Sequence, residues 1–173
     1  MFMYRNILVA LTLGSTAALA AGPNLGIPVT QDDIAAWDIN VLPDGTGLPP
    51  GSGTAAQGSD IFAVKCAWCH GVNGVGGTHH SLVGGEPLKG MGSSKTIYNF
   101  WPYATTIFDL VRRSMPYIQP RTLSNEEVYA LTAYILAIND LIDEKDVMNA
   151  ETLPQVQMPN RDGFVYRFPE LMP

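Results

Sequence analysis

The sequence has little charge, and its few cations are scattered. Of its 173 residues, 15 % are charged, the formal net charge is −6, and no basic run is longer than Arg112-Arg113. Nucleic-acid binding needs clustered Lys and Arg side chains on the phosphates, so the composition argues against that function. With 46 % apolar residues, the chain is also too apolar to be a disordered segment.

Long apolar runs are lacking after the first twenty residues. In that stretch, Arg5 precedes an apolar run over 7–20, which ends in Ala18-Leu19-Ala20, the small-x-small form of a cleavage site. The run is shorter than the ~20 residues that span a bilayer, so we predict a secretory signal peptide, residues 1–20, rather than a membrane anchor. Cleavage would remove Arg5, change the net charge from −6 to −7 and leave the mature protein in the periplasm.

The sequence has only two cysteines, and both lie in one motif. Cys66-Ala67-Trp68-Cys69-His70 reads C-x-x-C-H, the signature of covalent c-type haem attachment. Two thiols on one helical turn can reach the two vinyl groups of one porphyrin, and the adjacent His brings an imidazole under the ring. A thioredoxin-like redox pair requires no His at that position, and a zinc site needs four ligands. We therefore predict one covalent haem c.

Regular structure is expected in only a few segments, because 17 glycines and 13 prolines interrupt the chain. Residues 21–53 are rich in Pro, Gly and Asp and are interpreted as an N-terminal arm, with a short capped helix after Thr30. A first core helix is predicted over 54–68, and eight glycines between 71 and 95 predict a loop that wraps the haem.

Three further elements are predicted towards the C-terminus. A helical turn is expected over 96–101 and a helix over 105–114, which Pro116 stops. Ser124 and Glu127 form a capping box for the last core helix. Four of its residues are expected on one face: Leu131, Tyr134, Ile135 and Ile138. Residues 141–173 are predicted to be a tail that either wraps the domain or is mobile.

These motifs resemble the class I c-type cytochromes. Gly58 and Phe62 before the attachment motif, and Leu131 and Tyr134 after it, match the positions where that family crosses its first and last helices beside one haem. The resemblance implies an all-α class I cytochrome c fold over residues 54–140, with long irregular N- and C-terminal arms.

Longer strings are similar to cytochromes of bacterial sulfur oxidation. They are residues 35–38 (AAWD), 101–106 (WPYATT), 112–116 (RRSMP), 127–134 (EVYALTAY) and 158–164 (MPNRDGF). Two kinds of cytochrome fit: the partner of periplasmic sulfite dehydrogenase, and the cytochrome part of the sulfur dehydrogenase of the thiosulfate-oxidising system. The second normally carries an extra domain and a second haem. Because this chain has one attachment motif, the stand-alone monohaem reading is preferred.

His70 is the predicted proximal iron ligand, and the distal ligand must be chosen among several residues. In the class I family the distal Met precedes the last helix, and Met115 meets that order with Pro116 fixing the backbone after it. Met91 lies between glycines, where a ligand lacks rigid support. His79 and His80 keep bis-His ligation open, because neutral imidazole binds iron well.

Four other residues are predicted to contact the haem. The resemblance implies that the carbonyl of Pro87 accepts a hydrogen bond from the proximal imidazole, which would orient His70. Trp101, Tyr103 and Arg113 could donate hydrogen bonds to the haem propionates. Ordinary packing of the two aromatic rings and a solvated charge at Arg113 are the alternatives.

An iron with two protein ligands has no open position for a substrate, so the predicted function is one-electron transfer and not catalysis by this chain alone. The resemblance implies a molybdenum-containing sulfite dehydrogenase as donor, with this chain as its electron-transfer partner or subunit. The acceptor would be another cytochrome or a terminal oxidase. The alternative is a cytochrome subunit with a catalytic role in a sulfur- or thiosulfate-oxidising dehydrogenase complex. A haem gas sensor ranks last, because the sequence has no signalling domain.

Overall fold

The structure is a computed structural model that describes residues 26–90, 92–165 and 167–168. The chain divides into two units, with the boundary between Ile39 and Asn40. The first unit contains α1 (Gln31–Trp37), where the Thr30 hydroxyl accepts from the Asp33 backbone N–H and the Asp33 carboxylate accepts from the Thr30 N–H. This capping box confirms the predicted short helix. The predicted signal peptide lies outside the described residues.

The second unit is mostly helical. Its helices are α2 (Ala55–Lys65), α3 (Ala67–His70), α4 (Ile97–Phe100), α5 (Ala104–Ser114) and α6 (Asn125–Ala137), with 3-10 turns at Val72–Gly74 and Leu153–Gln155. Strands β1 (Ser52–Thr54) and β2 (Val147–Asn149) form an antiparallel pair in which Gly53 lies opposite Met148. None of the described helices is long and apolar enough to cross a membrane.

The core is organised around the crossing of α2 and α6. A Cβ atom on Gly58 would lie 1.9 Å from the carbonyl oxygen of Ala130, so only glycine permits this approach of the two backbones. One helical turn further on, the rings of Phe62 and Tyr134 pack with centroids 5.1 Å apart. The crossing predicted from Gly58, Phe62 and Tyr134 is therefore confirmed, and it lies directly before the attachment motif.

Helix α6 is buried on more sides than its sequence pattern predicts. Its capping box forms as expected, because the Ser124 hydroxyl accepts from the Glu127 N–H and Glu127 accepts from the Ser124 N–H. Every residue from 128 to 136 is buried, however, rather than one face alone. The reason is that α2, α5 and both strands pack around this helix.

Residues 40–53 of the predicted N-terminal arm and the described part of the predicted tail belong to the same unit as the helical core, whereas the arm before residue 40 belongs to the first unit. Leu153 and Met158 of the tail are buried in the core, and the Tyr129 hydroxyl donates to the carbonyl of Pro49 in the arm (2.8 Å). The predicted boundaries at 53 and 140 therefore separate no independent units, because β1 of the arm pairs with β2 of the tail. Of the two predicted states of the tail, the structure shows the one in which the tail packs against the domain, at least as far as residue 158.

Candidate haem site

The attachment motif lies on a break between two helices. The predicted first helix, 54–68, is wrong in its end: α2 stops at Lys65, and Cys66 leaves helical geometry with φ −125° and ψ −35°. The carbonyl of Cys66 then accepts from the backbone N–H groups of both Cys69 (3.1 Å) and His70 (3.0 Å). One tight turn, α3, therefore carries both thiols and the imidazole, and neither cysteine is in a disulfide.

The imidazole of His70 is half-buried and lies beside two aromatic rings. The ring centroid of His70 lies 6.5 Å from that of Phe62 and 6.0 Å from that of His79. Burial, with a smaller contribution from the His79 charge, lowers the pKa of His70. The ring is therefore neutral at pH 7, which is the protonation state that a metal ligand needs.

The Nδ1 atom of His70 is buried and has no hydrogen-bond partner among the described residues. Such an atom is costly unless the ring has another purpose. Ligation of iron by the imidazole explains why the protein keeps this half-buried ring at the end of a turn that also carries two thiols. Among the predicted site residues, Cys66, Cys69 and His70 are the three that the structure brings together on one turn.

The pKa of the Cys66 thiol differs from that of a redox-active cysteine. Burial raises its pKa to about 11, although Lys65 opposes the shift. Reactive cysteines of thioredoxin-like motifs have lowered pKa values, because the thiolate is the nucleophile. The chemistry of Cys66 therefore favours attachment over thiol–disulfide exchange.

Polar side chains that the sequence analysis missed hold the loop after the motif. The Asn139 amide donates to the carbonyls of Ile135 (2.8 Å) and Leu82 (3.3 Å), and its oxygen accepts from the Gly84 N–H (3.1 Å). Asn139 is buried, and these bonds tie the end of α6 to the glycine-rich loop. Its only sequence signal was a polar residue directly after the last apolar position of the helix.

Two further side chains fix the same loop. The Tyr134 hydroxyl donates to the Asn73 side-chain oxygen (3.0 Å), three residues after His70. The Asn99 amide donates to the carbonyls of Glu86 (2.9 Å) and Ser94 (3.0 Å). The predicted glycine-rich loop is thus irregular, as expected, but it is held in place by side chains from α4 and α6.

Met115 lies at the C-terminal end of α5, where its backbone N–H donates to the carbonyl of Val111 (3.1 Å). Its side chain is partly buried against the core. Met148 and Met158 are fully engaged in core packing. Met91 and Met172 lie outside the described residues. Among these three methionines of the described residues, Met115 is the one whose side chain is only partly buried.

Trp101 and Tyr103 lie between α4 and α5. Trp101 packs edge-on against Phe100 with ring centroids 5.8 Å apart, and the Arg161 guanidinium lies 4.5 Å from the centre of the Tyr103 ring. Both residues are half-buried. The prediction that they bond to propionates stays a prediction.

Arg113 has partners that the sequence did not indicate. Its guanidinium donates to both carboxylate oxygens of Asp109 (3.1 and 2.7 Å) and to the Asn40 side chain (3.1 Å). The Asp109 hydrogen bonds raise the pKa of Arg113. The structure therefore places Arg113 in a clamp between α5 and the arm rather than leaving it as a solvated charge.

The hydrogen bond expected from His70 to Pro87 is not formed, since Nδ1 lacks any partner among the described residues. Pro87 instead lines a surface cavity of about 410 Å³ together with Ser81, Lys89 and Thr96. The extended loop before α4 holds Pro87 there, because Asn99 bonds to the adjacent Glu86 carbonyl.

Comparison with known proteins decides what this arrangement is. The family described as Cytochrome c matches residues 55–139. A solved structure titled "Crystal Structure of the Sulfane Dehydrogenase SoxCD from Paracoccus pantotrophus" is 42% identical, with a TM-score of 0.76, covering 83% of this chain and 72% of that chain. The chain belongs to the cytochrome c family. No curated protein matches it.

The residues of this cytochrome fit the cofactor of the family. Its cofactor is haem c, bound covalently. Two unpaired thiols and a neutral imidazole on one turn are the donor set that this group requires. A molecule of this family carries electrons, and its likeness to a sulfane dehydrogenase structure links it to sulfur oxidation.

Proposed function

We propose that this cytochrome is a periplasmic one-electron carrier that accepts electrons from a sulfite dehydrogenase. The observation that supports the carrier function is the turn from Cys66 to His70, which combines both thiols with a half-buried neutral imidazole. The proposed export rests on the signal-peptide pattern in residues 1–20.

Each site residue has a proposed role. Cys66 and Cys69 form the two thioether links, and His70 and Met115 are the axial ligands. The bound haem supplies an iron that changes its oxidation state by one electron. The protein side chains do the rest: Phe62 and Tyr134 keep water from the imidazole, and Asn139 and Asn99 hold the loop that covers it.

The attachment can be tested by the intact mass of the exported protein. We expect the mass of residues 21–173 plus one haem, with no free thiol and no disulfide. Cys66→Ser or Cys69→Ser should leave haem that is held by one link or lost on denaturation. A mass equal to that of the bare chain would contradict the proposed attachment.

The electron donor is the finer part of the proposal. The strings around Trp101 and Met115 resemble both kinds of cytochrome, and the single attachment motif favours the stand-alone partner of a molybdenum-containing sulfite dehydrogenase. A second candidate, a subunit of a sulfur- or thiosulfate-oxidising dehydrogenase complex, is favoured by the 42% identity to the sulfane dehydrogenase structure. The two candidates share the electron-transfer chemistry and differ in the partner.

Stopped-flow reduction distinguishes the two donors. The ferric cytochrome is mixed with a reduced sulfite dehydrogenase, and in parallel with a reduced sulfane dehydrogenase, and the haem spectrum is followed. The proposal expects fast reduction by the first enzyme. Reduction by the sulfane enzyme alone would replace the donor but keep the carrier function, and no reduction by any protein donor would reject both.

A further inference from the structure

The tail of the protein is fastened to the segment that carries Trp101 and Tyr103. The Asn160 side-chain amide donates to the carbonyl of Phe100 (2.8 Å), and the ring of Phe164 packs edge-on against that of Phe100 with centroids 5.6 Å apart. Residues 158–164 therefore form a turn that covers the connection between α4 and α5. This turn lies outside the range 55–139 that matches the cytochrome c family.

The position of this turn is determined by the core. Val156, two residues before the turn, and Met158, its first residue, are buried, and the Arg161 N–H donates to the carbonyl of Met158 (3.1 Å). A Cβ atom on Gly163 would lie 1.8 Å from the Asn160 side-chain oxygen, so a larger residue there would displace the Asn160 side chain from its position. The side chain between these anchors, Arg161, is thus presented in a defined place.

Arg161 is a half-buried cation that forms no ion pair with a carboxylate of the described residues. Its guanidinium lies over the Tyr103 ring, 4.5 Å from the ring centre. The ion pairs among the described residues are Lys65 with Glu127 and Arg113 with Asp109, and neither involves Arg161. A guanidinium stacked on an aromatic face keeps its in-plane N–H groups available for a bidentate anion.

We propose that Arg161 is the cation that pairs with the carboxylates of the haem. Haem brings two carboxylates into the site, and they need donors once water is excluded. Tyr103 is a predicted donor to these groups, and the Arg161 guanidinium lies over its ring. Arg113, the cation predicted for this role from the sequence, already bonds to Asp109 and Asn40. Arg161 therefore stabilises the reduced haem, because a nearby positive charge disfavours the ferric form.

The test is the reduction potential of three purified haem-loaded variants, measured by equilibrium titration with chemical mediators. Arg161→Gln removes the charge and should shift the equilibrium away from reduction by about tenfold, which is ~59 mV for one electron. Arg161→Lys keeps the charge without the planar stacking and should retain most of the potential. Arg167→Gln is the matched control, because Arg167 is an exposed arginine of the same tail that also stacks on an aromatic ring, Phe168.

The outcomes separate a charge effect from a structural effect. A large shift in Arg161→Gln, with near-normal potentials in the other two variants, supports the pairing. Equal shifts in Arg161→Gln and Arg161→Lys would show that the contact with Tyr103 only holds the tail, and this would overturn the proposed pairing. Equal potentials in all three variants would overturn it as well. The proposal rests on haem attachment but not on the electron donor, since the mediators replace the donor.

Discussion

Met115 is the residue whose substitution should change the redox properties most. Its backbone is fixed at the end of α5, and its side chain is only partly buried. We expect Met115→Leu to retain the haem through Cys66, Cys69 and His70. The potential should fall by about 0.1 V or more, because axial ligands set haem potentials over about 0.8 V and loss of the thioether favours ferric iron. Redox titration and the red absorption band of Met-ligated ferric haem measure both effects.

Met91→Leu is the comparison for this substitution. We expect it to leave the band and the potential unchanged, because Met91 lies in a run of glycines. If Met91→Leu abolished the band and Met115→Leu did not, the assignment of the distal ligand would be wrong.

At the scale of elements, Glu127 connects the start of α6 to the end of α2. Its carboxylate accepts from Lys65 Nζ (2.6 Å) and from the Ser124 N–H (2.9 Å), so one side chain serves both a salt bridge and the capping box. The hydrogen bond from Lys65 and, to a smaller extent, the one from the Ser124 N–H lower the pKa of Glu127. Because Lys65 directly precedes Cys66, this link also fixes the helix end that carries the attachment motif.

The lowered pKa predicts a dependence of stability on pH. A carboxylate with a depressed pKa in the folded state stabilises the protein above its unfolded pKa and loses this contribution as the pH falls through the folded value. Glu127→Gln, which preserves the cap, should therefore cost up to about 1 kcal/mol at pH 7, since the pair is partly exposed. Urea unfolding should show the difference shrink as the pH falls below 4.5.

Glu126→Gln is the matched control for this experiment. Glu126 lies in the same first turn of α6 and forms no salt bridge among the described residues. An equal loss in both variants, or a loss in Glu127→Gln that persists in acid, would contradict the role of the Lys65–Glu127 pair.

At the scale of the whole molecule, the tail supplies part of the core. Leu153 is 0% exposed although it lies beyond the range of the cytochrome c family match. Leu153→Ala should lower the free energy of unfolding by about 2–5 kcal/mol, through lost burial and the cavity it leaves. Chemical denaturation measures the change, with Val165→Ala as control because Val165 is 93% exposed. A neutral Leu153→Ala variant would show that the tail contributes little to stability.

Exposed apolar side chains on the attachment turn and shortly after Met115 predict how the carrier meets its donor. Trp68, Tyr117 and Ile118 are 87%, 81% and 85% exposed. Electron-transfer encounters use small interfaces, and the net charge of −6 should act mainly through long-range steering. Raising the salt concentration should therefore change the association rate with the donor more than the dissociation rate.

Ile118→Lys tests the apolar contact. It should slow stopped-flow reduction by the donor and leave the haem spectrum unchanged, because Ile118 is remote from core packing. Val165→Lys, at an equally exposed position of the tail, adds the same charge as a control. An unchanged rate in Ile118→Lys would place the docking surface elsewhere on the molecule.

The sequence by itself determined the features whose signals are local. The spacing of Cys66, Cys69 and His70 predicts the attachment turn, and Ser124 with Glu127 predicts the start of α6. Such signals depend on residues that are three or four positions apart, which one helical turn brings together whatever the rest of the chain does. Gly58 could also be assigned to a helix crossing, because no other residue permits the approach.

Only the tertiary structure decided the roles that depend on distant segments. Several contacts join residues that are far apart in the chain. They are the pairing of β1 with β2, the burial of Leu153, the bonds of Asn139 to the loop, and the contacts of Arg113 and Arg161. A short strand or a single polar side chain has no sequence periodicity from which its partner could be predicted. Its energy comes from contacts that exist only after α2 and α6 have crossed, and so the partner is fixed by the fold and not by neighbouring residues.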